Sequence, residues 1–259
     1  MATYETVNYR REGRIGYLTL NRPSSFNAVN DQLEADLLAA VQEFDLDDEA
    51  WIAIIHGAGQ YFCAGADVKQ RFYSRSREER LRKMTRGTSP EGYLGRTINW
   101  KPVIAAVHGY ALGAGCSIAA ECDLIVASEE AQFGITETKR GLPGARVWAK
   151  MQLCMGKMAA EMLLTGEPYP AAELYRLGFI NRLVPTGKHL EGAKELAEKV
   201  LKAPPLAVRA GVRALRWQWT KQVAEADLYD QALRLHLTED FEESARAFVE
   251  KRQPVYRGR

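Results

Sequence analysis

The stretch from Pro102 to Gly144, PVIAAVHGYALGAGCSIAAECDLIVASEEAQFGITETKRGLPG, constrains this chain more than any other. Its apolar opening, Val103 to Val107, predicts a buried strand. A turn of small residues follows from Gly109 to Gly115, then a short helix-forming piece from Ser117 to Glu121. Leu124 to Val126 returns as a strand. A further short strand, Gln132 to Ile135, leads to a lone carboxylate, Glu137, with Lys139, Arg140 and Gly141 behind it. A strand that ends in glycines and feeds a helix aims several backbone N–H groups at one point, with the helix dipole behind them. Such a point can hold an anion or a developing oxyanion. Glu137 stands twenty residues after Ser117, just beyond the next strand pair, so it can return to the same pocket.

The same device occurs once before. IAIIHG around residue 55 and IAAVHG around residue 107 are both buried strands that end in His-Gly and run into small residues. Two such units can bring two backbone N–H groups together. His56 and His108 are expected to bond into their turns, because a histidine at a strand end usually does.

The rest of the chain, in order, begins with a hairpin of Glu5 to Tyr9 and Ile15 to Leu20 around Arg11-Glu12-Gly13-Arg14. Asn21-Arg22-Pro23 breaks the strand. Asn30 can cap an amphipathic helix from about Asp31 to Phe44. Trp51 to Ile55 is a buried strand. Residues 71 to 98 open very polar and predict a solvated helix or loop beside a pocket. One helix with methionines is expected from Arg146 to Leu164, with Met151, Met155, Met158 and Met162 as core filler. A short helix starts at Pro170 and ends by Gly178, and Phe179 to Val184 is a strand. From about Leu190 the chain reads as helix throughout: 190–203, 205–219, 222–237 and 239–251. The shift to pure helix near residue 186 is the one domain boundary, giving a core of residues 1–186 and a helical region of residues 187–259.

Composition excludes several classes. A net charge of +2 exerts no strong pull on nucleic acid or anionic membranes. No run approaches the roughly 20 apolar residues of a membrane span, and the charged N-terminus lacks the apolar core of a signal peptide. The four cysteines form no CxxC pair and read as reduced structural thiols of a cytoplasmic protein. No histidine pairs with a cysteine at ligand spacing, so no metal is expected.

Six motifs, in order, resemble the crotonase (enoyl-CoA hydratase/isomerase) superfamily over essentially the whole chain. They are LTLNRPSSFNA at 18–28, FCAGADVK at 62–69, KPVIAAVHGYALGAGCSIAAECDLIVAS at 101–128, FGITETKRGLPG at 133–144, LLTG at 163–166 with LGFINRLVP at 177–185, and AFVEKRQPVY at 247–256. The resemblance implies an α/β fold, a spiral of ββα units with a helical C-terminal trimerisation region, and trimers that pair into hexamers. It implies acyl-CoA thioesters as substrates, with no separate cofactor. The two N–H groups that hold the thioester carbonyl then fall on Ala66 and Ala114. Ser25, Phe26 and Ala28, together with Ala64, Asp67, Val68 and Lys69, match the CoA-binding elements. Lys69 falls near the nucleotide end of CoA, against the alternative of a plain surface lysine.

The family's hydratases use two glutamates. Here the second is Glu137 and the first is replaced by Ser117, which can position water but is no carboxylate acid or base near neutral pH. Glu121, one turn on, is an alternative to be weighed against a helix-end charge facing solvent or a neighbouring chain. The segment after Glu137 also departs from the family, placing Arg146, Trp148 and Lys150 where small and apolar residues are usual. Arg146 can then partner a carboxylate or hydroxyl on the acyl group, or face a subunit interface. Trp217, Trp219 and Tyr229 either line an aromatic pocket or pack in the core or trimer. The expected activity is an acyl-CoA hydratase, of enoyl-CoA hydratase or hydratase-lyase type, with Glu137 as acid/base and Ser117 orienting water or a substrate hydroxyl. The alternatives are an enoyl-CoA isomerase and, in another class, a catalytically weak homologue that binds RNA or protein. Only the arginine-rich 71–86 segment favours the last.

Overall fold

The computed structural model describes residues 4–85, 92–94, 97–230 and 233–259. A six-stranded sheet runs in the order β1 (Val7–Glu12), β2 (Ile15–Leu20), β3 (Ile52–Gly57), β4 (Val103–Val107), β6 (Leu124–Ser128), β9 (Arg182–Val184). β1 and β2 form an antiparallel hairpin, and every later neighbour is parallel. A second sheet joins β5 (Tyr110–Leu112), β7 (Gln132–Gly134) and β8 (Tyr169–Pro170).

Ile52–Ile55 of β3 and the whole of β4 are apolar without interruption because both of their faces are buried. Ala53, Ile55, Val103, Ala105 and Val107 point into the larger core, against α1 (Asp31–Leu46). Ile52, Ile54, Ile104 and Ala106 point the other way and meet Ala193 and Ala197 of α7 (His189–Val200). α1 is set by its pattern and its caps. Leu33, Leu37, Val41 and Phe44 form the buried stripe, and the Asn30 side chain accepts from Leu33 N at 2.8 Å. At the other end the buried Lys101 Nζ donates to the carbonyls of Phe44 and Asp47, at 3.0 and 2.7 Å.

The remaining helices are α2 (Arg77–Thr85), α3 (Ala114–Glu121), α4 (Ala145–Met155), α5 (Lys157–Thr165), α6 (Ala171–Arg176), α8 (Pro205–Asp230) and α9 (Glu239–Val249). Several differ from the expected bounds. The helix expected over Arg146–Leu164 is two, because Gly156 adopts φ 53° and breaks it. Its methionines do fill the core: Met151, Met155 and Met162 are buried and Met158 packs against them. The helices expected at 205–219 and 222–237 are a single helix ending at Asp230, since no glycine or proline separates them. Its docking rests on Arg216, which donates to both carboxylate oxygens of Asp123, to Thr97 Oγ1 and to Lys101 O. The last strand is only Arg182–Val184, and β1 extends to Glu12, so the hairpin turn is Gly13-Arg14. Part of the polar 71–98 stretch lies outside the described residues. The described part carries a wide turn at Lys69–Tyr73 and then α2. Among the described residues no helix is long and apolar enough to cross a membrane, and no group of three or more histidine, cysteine or acidic side chains could hold a metal ion.

His56 reaches its own turn, with Nδ1 3.3 Å from Gly57 O, whereas His108 bonds into the turn of the other strand–His–Gly unit. Thr19 Oγ1 lies 2.9 Å from His56 Nε2, and Gly59 O lies 3.0 Å from His108 Nε2.

Candidate active site

The two strand–His–Gly units come together because β3 and β4 are neighbours in one sheet. Beyond their ends the chains stay paired. Phe62 N donates to His108 O, Cys63 N to Tyr110 O and Leu112 N to Cys63 O, at 2.8–3.0 Å. This pairing sets Gly65-Ala66 beside Gly113-Ala114: a Cβ placed on Gly65 would stand 3.9 Å from Ala114 N. Gly113 has φ 50° and ψ −116°, which a side chain would strain. At Gly115 a Cβ would lie 2.3 Å from Cys63 O, so only glycine lets the first turn of α3 sit this close. Ala114 is the first residue of α3 and is not among the residues with positive φ, so its methyl is accommodated. Neither Ala66 N–H nor Ala114 N–H has an acceptor among the described residues.

Glu137 faces the same point. A Cβ on Gly113 would lie 3.4 Å from its Oε1. Glu137 Oε2 is buried and has no hydrogen-bond partner among the described residues. Burial pushes this carboxyl up to about 7. A salt bridge to the neighbouring cations does not form. Lys139 Nζ instead pairs with Glu167 at 2.5 Å, and the Arg140 guanidinium lies 4.4 Å over the Phe248 ring.

These groups line a cleft of about 1230 Å³. Its walls include each residue that the sequence assigned to catalysis or to CoA binding: Ser25, Phe26, Ala28, Ala64, Ala66, Asp67, Val68, Lys69, Ala114, Ser117 and Glu137. Ser117 sits partly buried one turn into α3. Asp67 accepts from Arg22 and from Gln70 N, holding the loop that carries Ala66. Lys69 is exposed at the cleft. Trp219 lines the cleft as well, whereas Trp217 and Tyr229 project into solvent from α8.

Glu121 does not face solvent. It is 2 % exposed, and its Oε1 accepts from Lys150 Nζ at 2.8 Å. Its Oε2 accepts from the N–H groups of Tyr93 and Leu94 at 2.5 and 3.2 Å. Arg146 pairs with Asp227 of α8 at 2.9 Å. Sequence reasoning missed Lys150's partner, because residues 29 apart on different helices leave no local pattern. It also passed over Asn27. This buried side chain holds the Ser25–Ala28 loop through Ala58 O, Tyr61 O and Arg22 N, with its own backbone left-handed at φ 56°. An asparagine within a loop of small residues was the available signal, since asparagine tolerates that conformation.

Residues 10–259 match the family model for enoyl-CoA hydratase/isomerase. The chain is 37% identical over 248 residues to a mevalonyl-coenzyme A hydratase of Aspergillus fumigatus, covering 93% of this chain and 90% of that one. It is 36% identical over 254 residues to a 2,3-dehydroadipyl-CoA hydratase of Escherichia coli, covering 96% and 97%. Among solved structures, an enoyl-CoA hydratase from Mycobacterium avium subsp. paratuberculosis superposes with a TM-score of 0.82 at 27% identity, covering 98% of this chain and all of that one. A carnitinyl-CoA hydratase from Mycobacterium avium superposes with a TM-score of 0.77 at 35% identity, covering 99% and 100%. With paired strand–turn units, a Gly-Ala-Gly helix start and near-complete coverage by such relatives, the chain belongs to the enoyl-CoA hydratase/isomerase family and has the crotonase fold.

Proposed function

We propose that the protein is an acyl-CoA hydratase that adds water across a 2-enoyl thioester with Glu137 as its single acid/base. One observation carries this reading: Glu137 Oε2 is buried without a partner among the described residues, burial pushes the carboxyl up to about 7, and it stands beside two backbone N–H groups that have no acceptor among those residues. The thioester oxygen accepts from Ala66 N–H and Ala114 N–H. Ionised Glu137 takes a proton from water as the hydroxide adds to C3. The C2–C3 π electrons move to the thioester oxygen as an enolate, which the two N–H groups and the dipole of α3 stabilise. Protonated Glu137 then returns its proton to C2, so one water is added and the enzyme is regenerated. Ser117 orients the water or the new hydroxyl. Every proton in this scheme comes from water or Glu137, so no separate cofactor is needed.

The loop Ser25–Ala28 and the segment Ala64–Lys69 would hold the CoA portion, with Lys69 towards its nucleotide. We assign residues 1–186 to the acyl-CoA-binding core and residues 187–259 to association between copies, as a trimer or a pair of trimers. The large apolar side chains left exposed on α8, among them Leu215, Trp217, Leu228 and Tyr229, favour that assembly. Light scattering on the purified protein tests it, and a monomer would refute it. The cytoplasm is the compartment we propose, in keeping with four free cysteines, three of them buried.

The same lone carboxylate suits a second reaction, moving a proton from C2 to C4 as an enoyl-CoA isomerase does. Crotonyl-CoA, a 3-enoyl-CoA and a hydroxycinnamoyl-CoA, assayed side by side on the intact protein and on Glu137→Gln, separate the two. Hydration of a 2-enoyl thioester that falls at least about a hundredfold in the variant supports the proposal. Conversion of only the 3-enoyl thioester gives the isomerase, and unchanged turnover in the variant removes Glu137 from the chemistry.

A further inference from the structure

Four residues beyond Ser117 on α3 the cleft has a charged wall. Glu121 and Lys150 both line it and both are buried, with side chains 3% and 5% exposed. Lys150 Nζ also sits 5.2 Å from the centre of the Trp219 ring. The Tyr93 and Leu94 N–H groups occupy Glu121 Oε2, while Oε1 takes one proton from Lys150 and retains a lone pair. Lys150 has three donor protons, and Glu121 uses one of them. The wall therefore offers a donor and an acceptor side by side. Glu121 is seven residues beyond Ala114 on α3, roughly 10 Å of helix rise.

We infer that the Glu121–Lys150 pair determines acyl specificity, selecting acyl groups that carry a hydroxyl on the order of six carbons along the chain. This rests on the acyl-CoA reading above. A hydroxyl accepts from Lys150 Nζ and donates to Glu121 Oε1, so the pair keeps its hydrogen bonding when water is expelled. A methyl end displaces the same water and replaces none of its bonds. A carboxylate is disfavoured by charge. It can accept from Lys150 Nζ but has no proton to donate to Glu121 Oε1, whose charge repels it.

The test uses thioesters that cannot react: hexanoyl-CoA, 6-hydroxyhexanoyl-CoA and adipyl-CoA, titrated calorimetrically into the intact protein. The hydroxylated thioester should bind at least about tenfold more tightly than hexanoyl-CoA, the difference expected for a hydrogen bond to a charged group. Equal affinity for these two, or tighter binding of adipyl-CoA than of 6-hydroxyhexanoyl-CoA, overturns the inference. Crotonyl-CoA turnover measured alongside keeps the two readings apart, because its four-carbon acyl group does not need the wall. Normal turnover with equal binding of the three thioesters overturns the specificity reading alone, whereas no binding of any of them overturns both. The double variant Glu121→Gln with Lys150→Met retains an acceptor for Tyr93 and Leu94, and should erase or reverse the preference. Retention of the full preference in the double variant assigns it to other residues and refutes the role of the pair.

Discussion

Two glutamates line one cleft and could hardly differ more. Glu121 is fully engaged in the fold, with an ammonium on one oxygen and two backbone N–H groups on the other. Glu137 has a buried oxygen with no partner among the described residues, and burial pushes its pKa up to about 7. Glu121 joins α3, α4 and the 92–94 segment through those contacts. Glu137 is poised to exchange a proton. The difference teaches that exposure does not identify the reactive group here: the more deeply buried of the two is the less reactive.

The largest effect expected from breaking this contrast is on stability. Glu121→Ala leaves Lys150 buried and charged with no anion beside it, which costs about 3–5 kcal/mol. Chemical denaturation at pH 7 measures it. A loss below about 1 kcal/mol would mean that the pair contributes no more than an exposed ion pair, and would remove the contrast.

Next comes activity. In Glu137→Gln, kcat/KM for the preferred enoyl-CoA should fall at least about a hundredfold, or about 2.7 kcal/mol of transition-state stabilisation. The first step needs the ionised form, so the intact enzyme's kcat/KM should fall about tenfold per pH unit below about 7. A profile flat down to pH 5 would show that Glu137 titrates as an ordinary carboxylate and would remove the contrast.

The same shift makes a smaller prediction about folding. Glu137 has a higher pKa in the folded protein than in the unfolded chain, so folding favours its protonated form. Wild-type stability is therefore intact below about 4.5 and declines as pH rises towards 7. Glutamine cannot ionise and escapes that cost. Glu137→Gln should be about 1–2 kcal/mol more stable than wild type at pH 8, after discounting for the open side of the cleft, and equal to it at pH 4. Paired thermal melts at the two pH values check the crossover.

The sequence made one half of this comparison legible. Val103–Val107, the small-residue turn and Glu137 lie close in sequence, and their chemistry is local: a strand, glycines, a helix start and a carboxylate. α1 was equally plain, because its cap and stripe are local too. Glu121 was misread because its partners come from residues 93, 94 and 150, on elements that only the tertiary fold brings to it. α8 was divided in two for a related reason. Its polar middle weakens the apolar period, yet α8 packs along α4 and is held by the distant Arg216–Asp123 pair. Gly156 shows the opposite case, a local break inside a pattern that continues on both sides.

Outside the cleft, a third kind of buried titratable group extends the comparison to bases. The His108 and His189 rings stack with centroids 4.2 Å apart and an interplanar angle of 17°, where α7 begins against the end of β4. Nδ1 of each ring is buried without a partner among the described residues. Burial, followed by the neighbouring charges of His108 and His56, pushes His189 down to about 4, with Glu130 opposing. Burial favours the uncharged form of His189 as it does that of Glu137, but in His189 it is protonation that creates the charge, placing a cation in the stack. A histidine pKa lowered by folding gives stability that is complete above about 6.5 and is lost as pH falls towards 4. The loss should be on the order of 1 kcal/mol, because His189 is only partly buried. Urea midpoints measured from pH 7 to pH 4 should show this decline in the Glu137→Gln background, where Glu137 no longer titrates. His189→Gln should flatten the decline, since an amide takes up no proton in that range. A decline of equal depth in the histidine variant would assign the acid sensitivity to carboxylates, and leave the stack as packing alone.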